Sequence, residues 1–220
     1  MMSGEQRVLV WDLPTRLFHW ALVVALGLSW YSAEQGLSGW DLHQWSGYAV
    51  ITLVLFRLLW GWFGSETARF GDFLAGPRTI ARYLRDWWRD RTPSRGHNPL
   101  GGWAVVVLLA LVLVQAVSGL FATDDILRSG PLTGWVGSDM ERTMTRLHSR
   151  TFDLLLILVT LHVVAIAVYR WVRGERLLMA MISGYKRNGF APPWIAPLYR
   201  AAVAAAVAVG VVWLLLATAP

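Results

Sequence analysis

The sequence predicts an all-α integral membrane protein, a four-helix transmembrane bundle with a fifth, C-terminal transmembrane helix. Three observations predict it. The 220 residues are 55% hydrophobic and only 15% charged, with a mean hydropathy of +0.45, whereas a soluble domain carries about 25% charged residues. The charges are grouped between apolar runs far longer than the ~9–11 residues of a barrel strand, so helices are the spanning form. Arginine and lysine then alternate between dense and sparse connections, as the positive-inside rule requires.

Taken in order, the first span is expected at Leu17–Tyr31, after the polar MMSGEQR. No cleavage site follows it, so it reads as a retained anchor rather than a signal peptide. The second is expected at Trp45–Phe63, the third at Trp103–Phe121, the fourth at Phe152–Trp171, and an Ala/Val-rich fifth at Leu198–Ala217. Between the second and third, PRTIARYLRDWWR at Pro77–Arg89 reads as a short amphipathic helix on the membrane surface. Pro77 suits its first turn, and Ile80, Leu84, Trp87 and Trp88 share one face between arginines.

Basic residues orient these spans. Arg7 and Arg16 precede the first, and the connection at 32–44 has none. The connection at 64–102 carries Arg69, Arg78, Arg82, Arg85, Arg89, Arg91 and Arg95. In the third connection, 122–151, Arg128, Arg142, Arg146 and Arg150 are offset by Asp124, Asp125, Asp139 and Glu141. Arg173, Arg176, Lys186, Arg187 and Arg200 follow the fourth span. The expected topology has a cytoplasmic N-terminus and an outside C-terminus.

Composition excludes several chemistries. With no cysteine there is no c-type haem attachment, iron–sulfur cluster, thiolate zinc site or disulfide. The net charge of +6 does not imply nucleic acid, because the basic residues border apolar spans, where topology and anionic lipid explain them. Most of the 14 tryptophans lie near span ends (Trp11, Trp20, Trp30, Trp40, Trp45, Trp60, Trp62, Trp103 and Trp171) and read as an interfacial belt.

The five histidines carry the functional signal. His148 and His162 sit fourteen residues apart on the fourth span, which on a helix is ~40° short of four turns and a rise of ~21 Å. They share a face at two depths, and that distance forbids one shared ion. His19, at the start of the first span, matches the depth of His162. His43, just before the second, matches His148. Two imidazoles from different helices clamp a haem iron and leave no open position, which suits electron transfer rather than oxygen chemistry. Taken singly, a histidine at such a place is more often an interfacial side chain, and the case rests on the set. Gly47, four residues after His43, gives either a macrocycle or a neighbouring helix room to approach. Asp153 is a candidate hydrogen-bond partner for an imidazole. Arg57 either snorkels to the surface or pairs with a haem propionate. His97, in RGHNPLGG, is a surface residue, a residue leading into the third span, or part of a quinone or proton site.

Several segments resemble one family. They are VLVWDLPTRLFHW at Val8–Trp20, LHQWSGYAVITLVLFRLLWGWFG at Leu42–Gly64, GHNPLGG at Gly96–Gly102, LHSRTFDLLLILVTLHVVAIAVYR at Leu147–Arg170 and LLMAMISGYK at Leu177–Lys186. Together they resemble the bacterial membrane cytochrome b family of cytochrome b561 proteins and nickel–iron hydrogenase b-type subunits. The resemblance spans roughly Arg7–Arg187 and is carried above all by FHW and the His-x13-His pair. It implies a four-helix bundle binding two b haems, with His19 and His162 on the inner haem iron and His43 and His148 on the outer one. It further implies a di-haem domain over 1–187, an extra helix over 188–220, and residence in the bacterial inner membrane. Electrons would pass between the quinone pool and a periplasmic redox protein, either a hydrogenase small subunit or a c-type cytochrome. The chain would then be an electron-transfer subunit rather than a stand-alone catalyst. Two other readings remain at this stage: a quinone-linked oxidoreductase acting alone on a small substrate, and a haem-free anchor or transporter. Apolar mid-span residues disfavour a transporter, whose polar groups gather near the midplane.

Overall fold

The chain runs as two helical hairpins and a final helix, closed at one end by a small two-stranded sheet. The computed structural model describes residues 7–90, 92–124, 126–187 and 191–219. MMSGEQ, Arg91 and Asp125 lie outside the described residues, as do 188–190, where the expected division between domain and extra helix falls.

Strand β1 (Arg7–Leu9) leads into α1 (Leu13–Glu34) and, through a 3-10 turn, α2 (Trp40–Phe63). Short α3 (Phe70–Phe73) and α4 (Pro77–Arg85) precede α5 (Pro99–Leu120). Then come α6 (Ser138–Val172), α7 (Leu177–Ser183), β2 (Tyr185–Arg187) and α8 (Leu198–Ala217). Among the described residues, four helical segments are long and apolar enough to cross a membrane: Gly36–Phe63, Pro99–Leu120, Ser138–Val172 and Leu198–Ala217. The first expected span differs. α1 has the length, 22 residues or ~33 Å, but Arg16, His19, Ser29 and Ser32 make it less apolar than these four.

Helix starts follow their caps. Asp12 accepts from Thr15 N at 2.8 Å with Pro14 in the first turn, and Asn98 accepts from Gly101 N at 2.7 Å ahead of Pro99. Each satisfies an amide the helix leaves free. α6 begins fourteen residues before the expected Phe152. Asp139 and Glu141 favour its N-terminus, and Arg142 pairs with Asp139 at 2.5 Å. Much of what reads as an outer loop, including 138–151, is therefore helix.

α1 packs along α2 and α5 along α6, the hairpins meet through α2 and α5, and α8 lies along α2. α1 and α6 do not pack along one another. Ala25, Val50, Val54, Val112 and Leu155 form the middle of the core. Phe18, Phe56, Trp60, Leu109 and Ala208 fill the end nearer the N-terminus, and Ile51, Leu120, Leu132 and Val212 fill the far end. α8 thus contributes to the core at both ends. It approaches α2 with Ala201, Ala204 and Ala208, small residues that let backbones close. Its lead-in is clipped to the loop after α2: Glu66 N donates to Trp194 O (3.1 Å), Trp194 N to Glu66 Oε2 (2.9 Å) and Ala196 N to Ser65 Oγ (2.9 Å).

The N-terminal end is capped by antiparallel β1–β2, with Val8 opposite Lys186. Gly184 makes this turn, at φ +87°, where a Cβ would also lie 2.8 Å from Trp11 O; only glycine fits both demands. α4 ends at Arg85, before the tryptophans, so the expected shared face is split. Trp87 turns inward onto Tyr169 (ring centres 5.0 Å apart), while Trp88 stays exposed. Tyr83 and Tyr169 share a hydroxyl hydrogen bond of 2.6 Å, fixing α4 to the end of α6. Of the tryptophans expected in a belt, Trp30, Trp45, Trp62, Trp103 and Trp171 are exposed, whereas Trp11 and Trp60 are buried. Trp60 Nε1 donates to Asp12 Oδ2 at 3.0 Å, a polar tip spent inside rather than at an interface.

Candidate functional site: histidines at two levels

At the far end of the bundle, α2 and α6 bring His43 and His148 face to edge, ring centres 6.1 Å apart and planes at 83°. Each ring is held from behind by its own hairpin. His43 Nδ1 lies 2.9 Å from Ser29 O on α1, with Ser32 Oγ at 3.5 Å. His148 Nδ1 lies 2.9 Å from Gln115 O on α5, with Ser118 Oγ at 3.4 Å. A carbonyl only accepts, so both Nδ1 atoms carry the proton and each Nε2 presents a lone pair to a partner other than its own hairpin's carbonyl. Backbone contacts of this kind fix the tautomer of metal-binding imidazoles.

The supporting shell is specific. Ser29 Oγ donates to buried Ser46 Oγ at 2.7 Å, locking α1 to α2 beside His43. Gly119 lets α5 approach α6: a Cβ there would stand 2.9 Å from His148 Cε1. The Gln115 side-chain amide lies 3.2 Å from His148 Nε2, and Thr151 Oγ1 donates to its Oε1. That amide meets the lone pair a metal would use, so an iron there displaces it. Asp153 is exposed, and the Gln115 carbonyl takes the role expected of it. A Cβ built on Gly47 meets nothing within 4 Å, leaving open space beside His43.

Nearer the N-terminus lie His19 on α1 and His162 on α6. Both are half-buried, and His19 Nδ1 is buried without a hydrogen-bond partner. His43 and His148 thus stand together at one end of the bundle, and His162 lies fourteen residues, ~21 Å, further along α6. A haem with two imidazole ligands needs their ring centres about 6 Å apart, roughly two ~2.0 Å metal–nitrogen bonds plus the ring radii. The His43–His148 separation fits such a group, with both Nε2 atoms unprotonated.

Beyond His19 and His162 lies a polar cleft of about 190 Å³ lined by Glu66, Thr67, Asp72, Phe73, Arg95 and His97, among others. His97 packs between Trp11 (ring centres 4.6 Å, edge-on) and Phe73 (4.5 Å, tilted), and its Nδ1 is buried without a partner. Burial, reinforced by the charges of Arg57 and Lys186, pushes its pKa down to about 3, so the ring is neutral at ordinary pH. Arg95 and Glu66 form a two-pronged pair at 2.8 and 3.0 Å. The backbone N–H of Trp194, then Arg95, holds the Glu66 carboxyl below its usual range. Arg57 does not snorkel. It is 2% exposed, donates to Ala68 O at 3.0 Å, lies 5.0 Å from the Phe70 ring centre, and leaves Nη1 unpaired. Lys186, whose ammonium burial pushes down, donates to Ser94 O and Gly96 O and holds this loop against the β1–β2 cap. Sequence reasoning did not find Gln115, Gly119 or the Ser29 carbonyl, because their roles arise only from contacts between helices.

A family model described as prokaryotic cytochrome b561 matches residues 10–184. No curated protein and no solved structure matched. The matched segment contains all five histidines and ends at Gly184, before α8.

Proposed function

The chain belongs to the prokaryotic cytochrome b561 family, a family of membrane b-type cytochromes that carry electrons, and from that premise we propose that it is a di-haem carrier linking the quinone pool to a redox protein on the periplasmic face. His43 and His148 hold the outer b haem through Nε2, and His19 and His162 hold the inner one. The observation that carries this reading is the His43–His148 pair, 6.1 Å apart with each Nδ1 committed to a carbonyl. The bound haem supplies a one-electron iron couple. The protein's own contribution is to orient the imidazoles, close both axial positions and keep water from the middle of the bundle with the Val50–Val54–Val112–Leu155 core.

The di-haem unit spans 1–187, and 188–220 adds a supporting helix. The N-terminus is cytoplasmic in the bacterial inner membrane, as the arginine-rich connection at 64–102 favours. The His97 cleft then opens on the cytoplasmic side and suits a quinone headgroup. His97 Nδ1 and Arg95 Nε, on two residues that line it, are buried polar atoms without a partner, and such atoms are costly unless a ligand satisfies them. The periplasmic partner docks over the connection between α5 and α6. A hydrogenase small subunit and a c-type cytochrome both fit this role.

In proteoliposomes, quinol should reduce the b haems, and His97→Leu should slow that reduction at least tenfold without changing haem content. Haems that quinol never reduces would remove the quinone from the reading. Sustained turnover with quinol and a small acceptor, without a protein partner, would favour a stand-alone oxidoreductase.

A further inference from the structure

A second pocket, of about 130 Å³, opens beside His43 and is lined by Ser32, Ala33, Gly36, Trp40, His43 and Arg128. Trp40 stacks on the His43 ring at 6.2 Å and 16°, and the Arg128 guanidinium lies 5.7 Å from the Trp40 ring centre. Arg128, indole and imidazole thus form one layered stack. Arg128 Nε is buried and has no hydrogen-bond partner among the described residues.

The loop is built to present this side chain. Asp124 Oδ1 accepts from the backbone N–H of Ile126 (3.0 Å), Leu127 (2.9 Å) and Arg128 (2.8 Å), and Asp124 N donates to Arg128 O at 3.0 Å. Thr123 and Ser129 close its base as an isolated bridge. These amides hold the Asp124 carboxyl below its usual range and occupy the oxygen that faces them. Asp124 therefore organises the backbone, and Arg128, which lines the pocket, keeps a buried donor without a partner.

We propose that Arg128 binds a propionate carboxylate of the outer haem in this pocket. The inference rests on the assignment of His43 and His148 as that haem's ligands. A guanidinium presents a planar fork of donors that matches a carboxylate, and a buried donor without an acceptor is costly. A haem b carries two propionates on one edge, and a haem held by His43 would lie at the end of the bundle where Arg128 and His43 line one pocket. Sequence reading offered Arg57 for this role, but Arg57 sits at the opposite end, near Asp12 and the His97 cleft.

The test is a redox titration of the purified holoprotein, read from b-haem absorbance, with haem counted per chain. The outer haem is identified as the one missing from His148→Ala. In Arg128→Gln, two haems should remain, the outer midpoint potential should fall and the inner one should not move, because losing the cation favours the more positive oxidised iron. Arg128→Lys should restore much of the shift. Loss of the outer haem in Arg128→Gln with recovery in Arg128→Lys also supports the proposal. Unchanged midpoints with two haems bound would overturn it, and coupled with slower electron delivery would assign Arg128 to an acidic group on the docking partner. Loss of the outer haem in both variants would mark a structural role and overturn it as well. A wild-type protein lacking the outer haem altogether would instead fail the ligand assignment beneath it.

Discussion

Gly119 faces the His148 ring across the α5–α6 contact, with no room for a side chain. Gly119→Leu should therefore push His148 out of line with His43 and halve the haem content to the inner group. A spectrum retaining both haems would show that α6 can shift without cost. The imidazoles themselves were legible in the sequence, because a fourteen-residue spacing on one helix is a local property. Their supports were not. The Ser29 carbonyl lies fourteen residues from His43, and the Gln115 carbonyl lies thirty-three from His148, so each forms only when hairpins close. Asp153 seemed suitable by its spacing, yet position five after a histidine points away, and the structure leaves it exposed. Arg57 likewise read as a snorkelling residue. Its burial depends on a loop, 68–73, that folds back over α2.

Among the elements, α8 was placed by its apolar run at the same Leu198–Ala217 that the structure shows. Its packing was not legible, since an Ala/Val helix gives no sign of which neighbour it meets. Ala208 is 1% exposed against the Phe18–Phe56–Trp60 cluster. Ala208→Phe should overpack this contact, cost about 1–3 kcal/mol, and lower the melting temperature in detergent while leaving the haem spectrum unchanged. An unaltered melting temperature would show that α8 is only loosely attached. The α6 start was misplaced for a different reason. Residues 138–151 are too polar to read as a span, yet acidic residues in the first turn and an Asp139–Arg142 pair suffice to extend the helix beyond the apolar run. His148 consequently stands inside a continuous helix, eleven residues into α6. That rigidity suits a residue whose orientation is fixed by a single carbonyl.

At the scale of the whole molecule, the arrangement separates two histidine levels by an apolar middle and places distinct polar features at the two ends. The Glu66–Arg95–His97 cleft and the β1–β2 cap lie at one end, and the pocket of Trp40, His43 and Arg128 lies at the other. Composition alone showed a membrane bundle, and the charge alternation predicted its orientation. The clefts at the ends were not foreseeable, because each draws on segments far apart in the chain. The central claim is that four histidines hold two haems, one above the other. It is tested most directly by a reduced-minus-oxidised spectrum of the detergent-purified protein, with haem counted per chain, in wild type, His148→Ala and His162→Ala. The account predicts two b haems in the wild type and one in each variant, with the two surviving haems differing in midpoint potential. A wild type with one haem or none, or variants that keep both, would contradict it.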